Sequence, residues 1–201
     1  MEYLPLFIFI LTATATPGPN NLMIMTSGLN FGVKASVPHL LGICTGFPLM
    51  VIGIGLGVSV LFQQFPWLHR LIQILSILYL FYMAWRIAST DHLSNQKSTA
   101  KPFSYIQALL FQWVNPKAWI MATTAISIYS DPEQQLLHSF IIAIIFMLVA
   151  FPSVAIWLLF GHHLKKLFSH DIYFRIFNIL MAFLLIWAIF PAIIELYNAF
   201  A

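Results

Sequence analysis

Lys117 is the residue of this chain most in need of a chemical partner. It lies 16 residues after Lys101 and 14 before Asp131, inside an otherwise apolar stretch. On a helix rising about 1.5 Å per residue, its Cα sits about 20 Å from either end, and a side chain of about 6 Å cannot carry the amine to an interface. A cation held at that depth costs at least about 2.5–3.5 kcal/mol on insertion scales, and such residues mark transport pathways by default. Two uses fit the position. Lys117 binds a carboxylate or changes protonation state during a cycle, or it ties down backbone carbonyls as structural glue.

A second polar interruption lies in the first apolar stretch. Thr16-Pro17-Gly18-Pro19-Asn20-Asn21 is centred between Glu2 and Lys34, so it falls halfway along. Two prolines around a glycine cannot continue a regular helix, because amide donors are missing and the rings clash with the preceding turn. Pro19 suits the first position of a new half-helix. The amides that follow, those of Asn20 and Asn21, then face the gap with the positive end of a helix dipole, and the preceding half-helix leaves carbonyls free. Donors opposite acceptors across an unwound turn suit a zwitterion such as an amino acid. Asn115-Pro116-Lys117 repeats the theme, with Asn115 placed to cap a second half-helix. The candidate substrate-binding residues are therefore Thr16, Gly18, Asn20, Asn21, Asn115 and Lys117, with Pro17, Pro19 and Pro116 as the helix breaks.

The elements that must position these residues are membrane helices. Of 201 residues 61% are hydrophobic and 7% charged, against about 25% charged in a soluble domain. Lipid has to cover most of such a surface. Six apolar stretches fall between the charges: Leu4 to Ser27, Val37 to Phe62, Trp67 to Ile87, Phe103 to Tyr129, Leu136 to Phe160 and Ile172 to Ile194. They lack the short alternation of barrel strands, and only helices satisfy their own backbone in hydrocarbon. The expected fold is all-α, a single transmembrane domain over 1–201 made of six spans, with spans 1 and 4 broken. The first stretch has no basic leader and reads as a retained span.

Lysine and arginine set the expected orientation. Lys34, Arg86, Lys97, Lys101, Lys165, Lys166 and Arg175 lie on one side, and Arg70 alone on the other. This puts the odd-to-even loops in the cytoplasm and both termini outside. The halves, roughly 1–90 and 101–201, also match by offset. Pro17 pairs with Pro116 at 99 residues, Phe47-Pro48 and Gly57 pair with Phe151-Pro152 and Gly161 at 104, and Arg70 pairs with Arg175 at 105. Three spans per half make the repeat inverted, the arrangement of secondary transporters that rock around a midplane site.

Other features read as structural. Gly42, Gly46, Gly53 and Gly57 mark a closely packed helix. His39 reads as interfacial, near the cytoplasmic mouth of span 2. His162 and His163 beside two lysines look like a solvated helix end, with no convergent ligands for a metal. The single Cys44 excludes an internal disulfide and reads as a small buried hydrophobe. Trp67, Trp85 and Tyr197 fit interface belts. No basic stripe points to nucleic acid, no residue set implies a cofactor, and nothing specifies or excludes a homodimer. A membrane-embedded enzyme acting on a lipid-linked substrate is the alternative to a transporter, but it needs a cluster of acids, histidines or a nucleophile that this chain lacks.

Ala15-Thr16-Pro17-Gly18-Pro19-Asn20-Asn21, the length and the six-span pattern resemble the LysE/RhtB family of amino-acid exporters along the whole chain. Lys101-Pro102-Phe103-Ser104 and Gln112-Trp113-Val114-Asn115-Pro116-Lys117 are most similar to its cysteine and O-acetylserine branch. The resemblance implies efflux of amino acids or close derivatives across a bacterial inner membrane, driven by protons. Cysteine, O-acetylserine, homoserine, threonine and leucine all remain open as substrates. No Asp or Glu lies deep in a span, so Lys117, and less directly His39, would be the proton-handling group.

Overall fold

The computed structural model describes residues 2–58, 60, 64–89, 101–167 and 171–198. Phe62, the expected end of the second span, and Lys97, counted in the charge asymmetry, lie outside the described residues. Every regular element among the described residues is helical: α1 (Tyr3–Ala15), α2 (Pro19–Gly53), a π-helical turn (Ile54–Val58), α3 (Pro66–Ala88), α4 (Tyr105–Val114), α5 (Pro116–Tyr129), a 3-10 turn (Pro132–Gln134), α6 (Gln135–Leu167) and α7 (Asp171–Asn198).

Proline and capping chemistry explain where these helices start. Pro19, Pro66 and Pro116 stand in the first turn of α2, α3 and α5, where a missing N–H costs nothing. Ser104 and Gln107 form a reciprocal capping box on α4, satisfying two amides that would otherwise be orphaned.

The long helix α2 is not straight. Gly32 has φ 79° and ψ 175°, a left-handed φ that a side chain resists. Ser27 Oγ and His39 Nδ1 lie 3.1 Å apart across this corner. Twelve residues of uninterrupted helix would separate them by about 18 Å, so the chain folds back at Gly32. Two arms result, 19–31 and 33–53. A second glycine with positive φ, Gly57 at 101°, ends the following turn.

By length and composition, four helical stretches among the described residues can cross a membrane: Pro19–Val58, Pro66–Ala88, Pro132–Lys165 and Ile172–Phe190. The six expected spans are therefore not six unbroken helices. Spans 1 and 4 are interrupted, at Thr16–Gly18 and at Asn115, and their pieces α1, α4 and α5 have 13, 10 and 14 residues. Leu148, Ile156 and Trp187 are about two-thirds exposed on the outer faces of α6 and α7, a surface that calls for lipid rather than water.

Two apolar clusters form the interior. One joins Leu22 and Met25 to Leu80 of α3, Phe111 of α4 and Leu185 of α7. The other joins Leu6 of α1 and Phe47 of α2 to Ala122 of α5 and Phe146 of α6. Glycines allow the closest approaches between helices. A methyl added at Gly161 would collide with the Met25 backbone, and one at Gly42 with the Tyr105 carbonyl. Gly46 and Gly53 pack on Leu109 and Trp113. Gly57, expected to pack like the other three, has open space around its Cα and serves as a turn instead.

Candidate functional site

The two helix breaks meet. Lys117, in the first turn of α5, lays its side chain across Gly18, and its Nζ donates to Thr16 O at 2.8 Å, Thr16 Oγ1 at 2.8 Å and Pro17 O at 3.2 Å. Three acceptors match the three protons of an ammonium group. Hydrogen bonds to a charged group contribute about 1.5–3 kcal/mol each, which offsets part of the cost of taking the cation out of water. Gly18 is glycine for space. Its backbone is extended at φ −178°, open to any residue, but an added methyl would lie 2.7 Å from Lys117 Cδ and 3.1 Å from Nζ.

The break in the first stretch is rebuilt by side chains. Asn21 Nδ2 donates to Thr14 O and Thr16 O, both at 2.8 Å, and Thr16 Oγ1 donates to Ala13 O at 3.0 Å. The carbonyls freed at the end of α1 are thus held by Asn21, Thr16 and Lys117. The sequence led us to expect them open for a substrate ammonium group. The protein's own ammonium group fills that place.

Donors remain on the other side of the gap. The first backbone bond of α2 runs from Leu22 N to Gly18 O at 2.9 Å, so the amides of Asn20 and Asn21 precede the helical ladder, as first-turn amides do. On the facing helix, Asn115 Oδ1 accepts from Lys117 N at 3.2 Å, the expected cap, and Asn115 is buried. Gly18 and Asn115 hold equivalent cap positions, each followed by proline. Pro19 and Pro116 each stand in the first turn that follows.

A cavity of about 40 Å³ lies here, and Gly18, Asn20, Asn21, Asn115 and Lys117 all line it, with Ile43, Phe47, Met121 and Val154 as apolar walls. Thr16 is brought to the site through Lys117 rather than as a wall. Beyond Gly18 and Lys117 a wider space of about 400 Å³ opens toward Leu184 and Trp187 of α7.

Sequence reasoning missed Gln112 as a site residue. It is fully buried and pairs with Asn20 in both directions, Asn20 Nδ2 to Gln112 Oε1 at 2.8 Å and Gln112 Nε2 to Asn20 Oδ1 at 3.2 Å. An amide inside an otherwise apolar stretch was the available signal. Trp119 was missed too. Its indole donates to Trp113 O at 2.8 Å, covering a carbonyl near Pro116. His39, expected at the interface, is buried, bonded to Ser27 and stacked on Phe103 at 4.9 Å. Its partners come from the other arm of α2 and from residue 103, and neither is visible in the local pattern.

Residues 11–192 match the family described as LysE type translocator. The chain belongs to the LysE family. This LysE-family chain is thus a multi-pass membrane transporter and not an enzyme, which removes the alternative of lipid-linked catalysis. Among its relatives is the cysteine/O-acetylserine efflux protein of Escherichia coli O139:H28, 31% identical over 185 residues, with 89% of this chain and 91% of the relative covered. The protein of that description from Escherichia coli K12 is 30% identical over the same shares. That from Salmonella typhi is 29% identical over 183 residues, again covering 89% and 91%. These matches agree with the branch resemblance carried by the Gln112–Lys117 segment. No solved structure matches the LysE-family chain.

Proposed function

We propose that this protein exports a small zwitterionic amino acid of the cysteine or O-acetylserine type from the cytoplasm of a bacterium across its inner membrane. The observation that carries the reading is the placement of Lys117 Nζ on the Thr16 and Pro17 carbonyls, beside the first-turn amides of α2. In this reading the lysine ammonium occupies the position of the substrate's own ammonium group. Substrate exchanges with it. The incoming ammonium takes the carbonyls, while Lys117 and the amides of Asn20 and Asn21 receive the carboxylate. Asn115 and Gly18 complete the walls, and the path past Gly18 toward Trp187 leaves room for the side chain.

Six spans in two inverted halves fit this chemistry. The fold-back at Gly32 supports counting α2 as parts of two spans, and the two proline breaks support one discontinuous span in each half. Rocking of the halves about the paired breaks would expose the site to each side in turn. The charge asymmetry favours cytoplasmic odd-to-even loops and external termini. Proton coupling would fall to Lys117, since its ammonium must leave the carbonyls when substrate binds, and a proton lost there is one way to release it.

The test is a tolerance screen. Expression in a sensitive host should relieve the toxicity of O-acetylserine or cysteine and lower their intracellular level. No relief for any neutral amino acid, with the protein present in the membrane, would overturn the reading.

A further inference from the structure

The central cavity of about 40 Å³ has room for a few waters, at about 10–15 Å³ of such space each. The adjoining chamber of about 400 Å³ falls in the range of small-molecule sites, about 300–1,000 Å³. Gly18 and Lys117 line both spaces. A zwitterion whose charged groups meet the helix breaks therefore has the chamber, and little else, for its side chain.

The chamber lies between the starts of α2 and α5 and one face of α7. Leu184, Trp187 and Ala188 fall at i, i+3 and i+4 on that face, and Leu22 and Ile120 stand opposite them in an apolar lining. Among the described lining residues Lys117 alone carries a charge, and its ammonium group already has three acceptors. A charged side chain entering here would lose its water and gain no partner. A second ammonium would also meet the like charge of Lys117. The lining thus favours neutral side chains. Trp187 both lines the chamber and is about two-thirds exposed, so it stands at the rim. Its ring stacks on Phe190, with centroids 6.2 Å and planes 9° apart, which steadies that wall.

Two occupants fit an apolar chamber that reaches the outer face of α7, a solute side chain or a lipid chain. Pro17 and Lys117 border the space, one a break in the helix and the other a cation. Hydrocarbon solvates neither, and such groups stand where protein or water covers them. That border favours the solute.

We propose that this chamber is the side-chain subsite, and that Leu184, Trp187 and Ala188 set which neutral side chains fit, a proposal that rests on the exporter reading. Cysteine ends at its thiol and reaches little of the chamber. O-acetylserine sends its acetyl ester against the α7 face.

The experiment uses the full chain in vesicles and compares KM for O-acetylserine with KM for cysteine kept reduced. Ala188→Leu fills the chamber beside α7. It should raise KM for O-acetylserine about ten-fold more than KM for cysteine, the lower end for one misfit methylene in an apolar pocket. Trp187→Ala removes the rim wall and should shift the same ratio about four-fold, the effect of about one methyl group's burial. Where Ala188→Leu does not fold, Trp187→Ala, at an exposed position, decides alone. General damage to the fold would move both substrates together. An unchanged ratio in the variants, with wild type active, overturns the subsite and leaves the exporter reading standing. A wild type that moves neither amino acid overturns both. A ratio that follows the acyl-chain length of the vesicle lipid in wild type, but not in Ala188→Leu, assigns the chamber to a lipid chain and overturns the substrate assignment.

Discussion

Asn20 and Gln112 face each other as a closed pair of amides, each donating to the other's oxygen, at 2.8 and 3.2 Å. One stands at the start of α2 and the other near the end of α4, 92 residues apart in the chain. The pair ties the first broken stretch to the second beside Lys117. Removing one member strands a buried amide, at a cost of about 1–3 kcal/mol. Gln112→Leu and Asn20→Leu should each lower the unfolding temperature in detergent. The double variant should lose less than the sum of the two. Additive losses would mean that the pair is not coupled.

Gly18→Ala tests the same locus by volume. The added methyl meets Lys117 Cδ at 2.7 Å, and the flexible lysine has to leave its carbonyls. Insertion and folding should survive while transport falls at least about ten-fold, the effect of about 1.4 kcal/mol lost at the site. Wild-type transport by Gly18→Ala would show that the Lys117 contacts are dispensable.

The corner at Gly32 gives a purely structural prediction. Forcing a side chain into φ 79° and ψ 175°, a region essentially reserved for glycine, costs about 1–3 kcal/mol. Gly32→Ala should reduce thermal stability and leave KM for the substrate unchanged. A KM shift without a stability loss would place this corner in the binding machinery.

Much of this architecture was legible in the residues, for reasons that differ by element. The breaks were legible because proline chemistry is local: Pro19 and Pro116 lack an amide wherever they stand, and both begin helices. The isolation of Lys117 in an apolar stretch was legible because the nearest charges, Lys101 and Asp131, are 16 and 14 residues away. Its partners were not, since Thr16 and Pro17 reach it only through the packing of helices 100 residues apart. Tertiary placement likewise decided His39, whose burial depends on Ser27 across the Gly32 corner and on Phe103. Gly57 and Gly161 match by offset yet differ in role, one a left-handed turn and the other a contact with Met25. Offset compares sequence, whereas each glycine answers to its own neighbours.

Orientation can be checked with cysteines. The single native thiol, Cys44, is buried and should label slowly, giving a quiet background. Glu133→Cys should react with a membrane-impermeant maleimide on intact cells, and Lys34→Cys only after the membrane is opened. The reverse pattern would invert the charge-based topology.

The most direct test of the central claim is efflux of O-acetylserine from loaded vesicles carrying wild type or Lys117→Ala at equal protein density. The account predicts that the variant inserts normally and moves no substrate above empty vesicles. Efflux by Lys117→Ala at close to the wild-type rate would contradict it, leaving the lysine a structural tie and placing the substrate elsewhere.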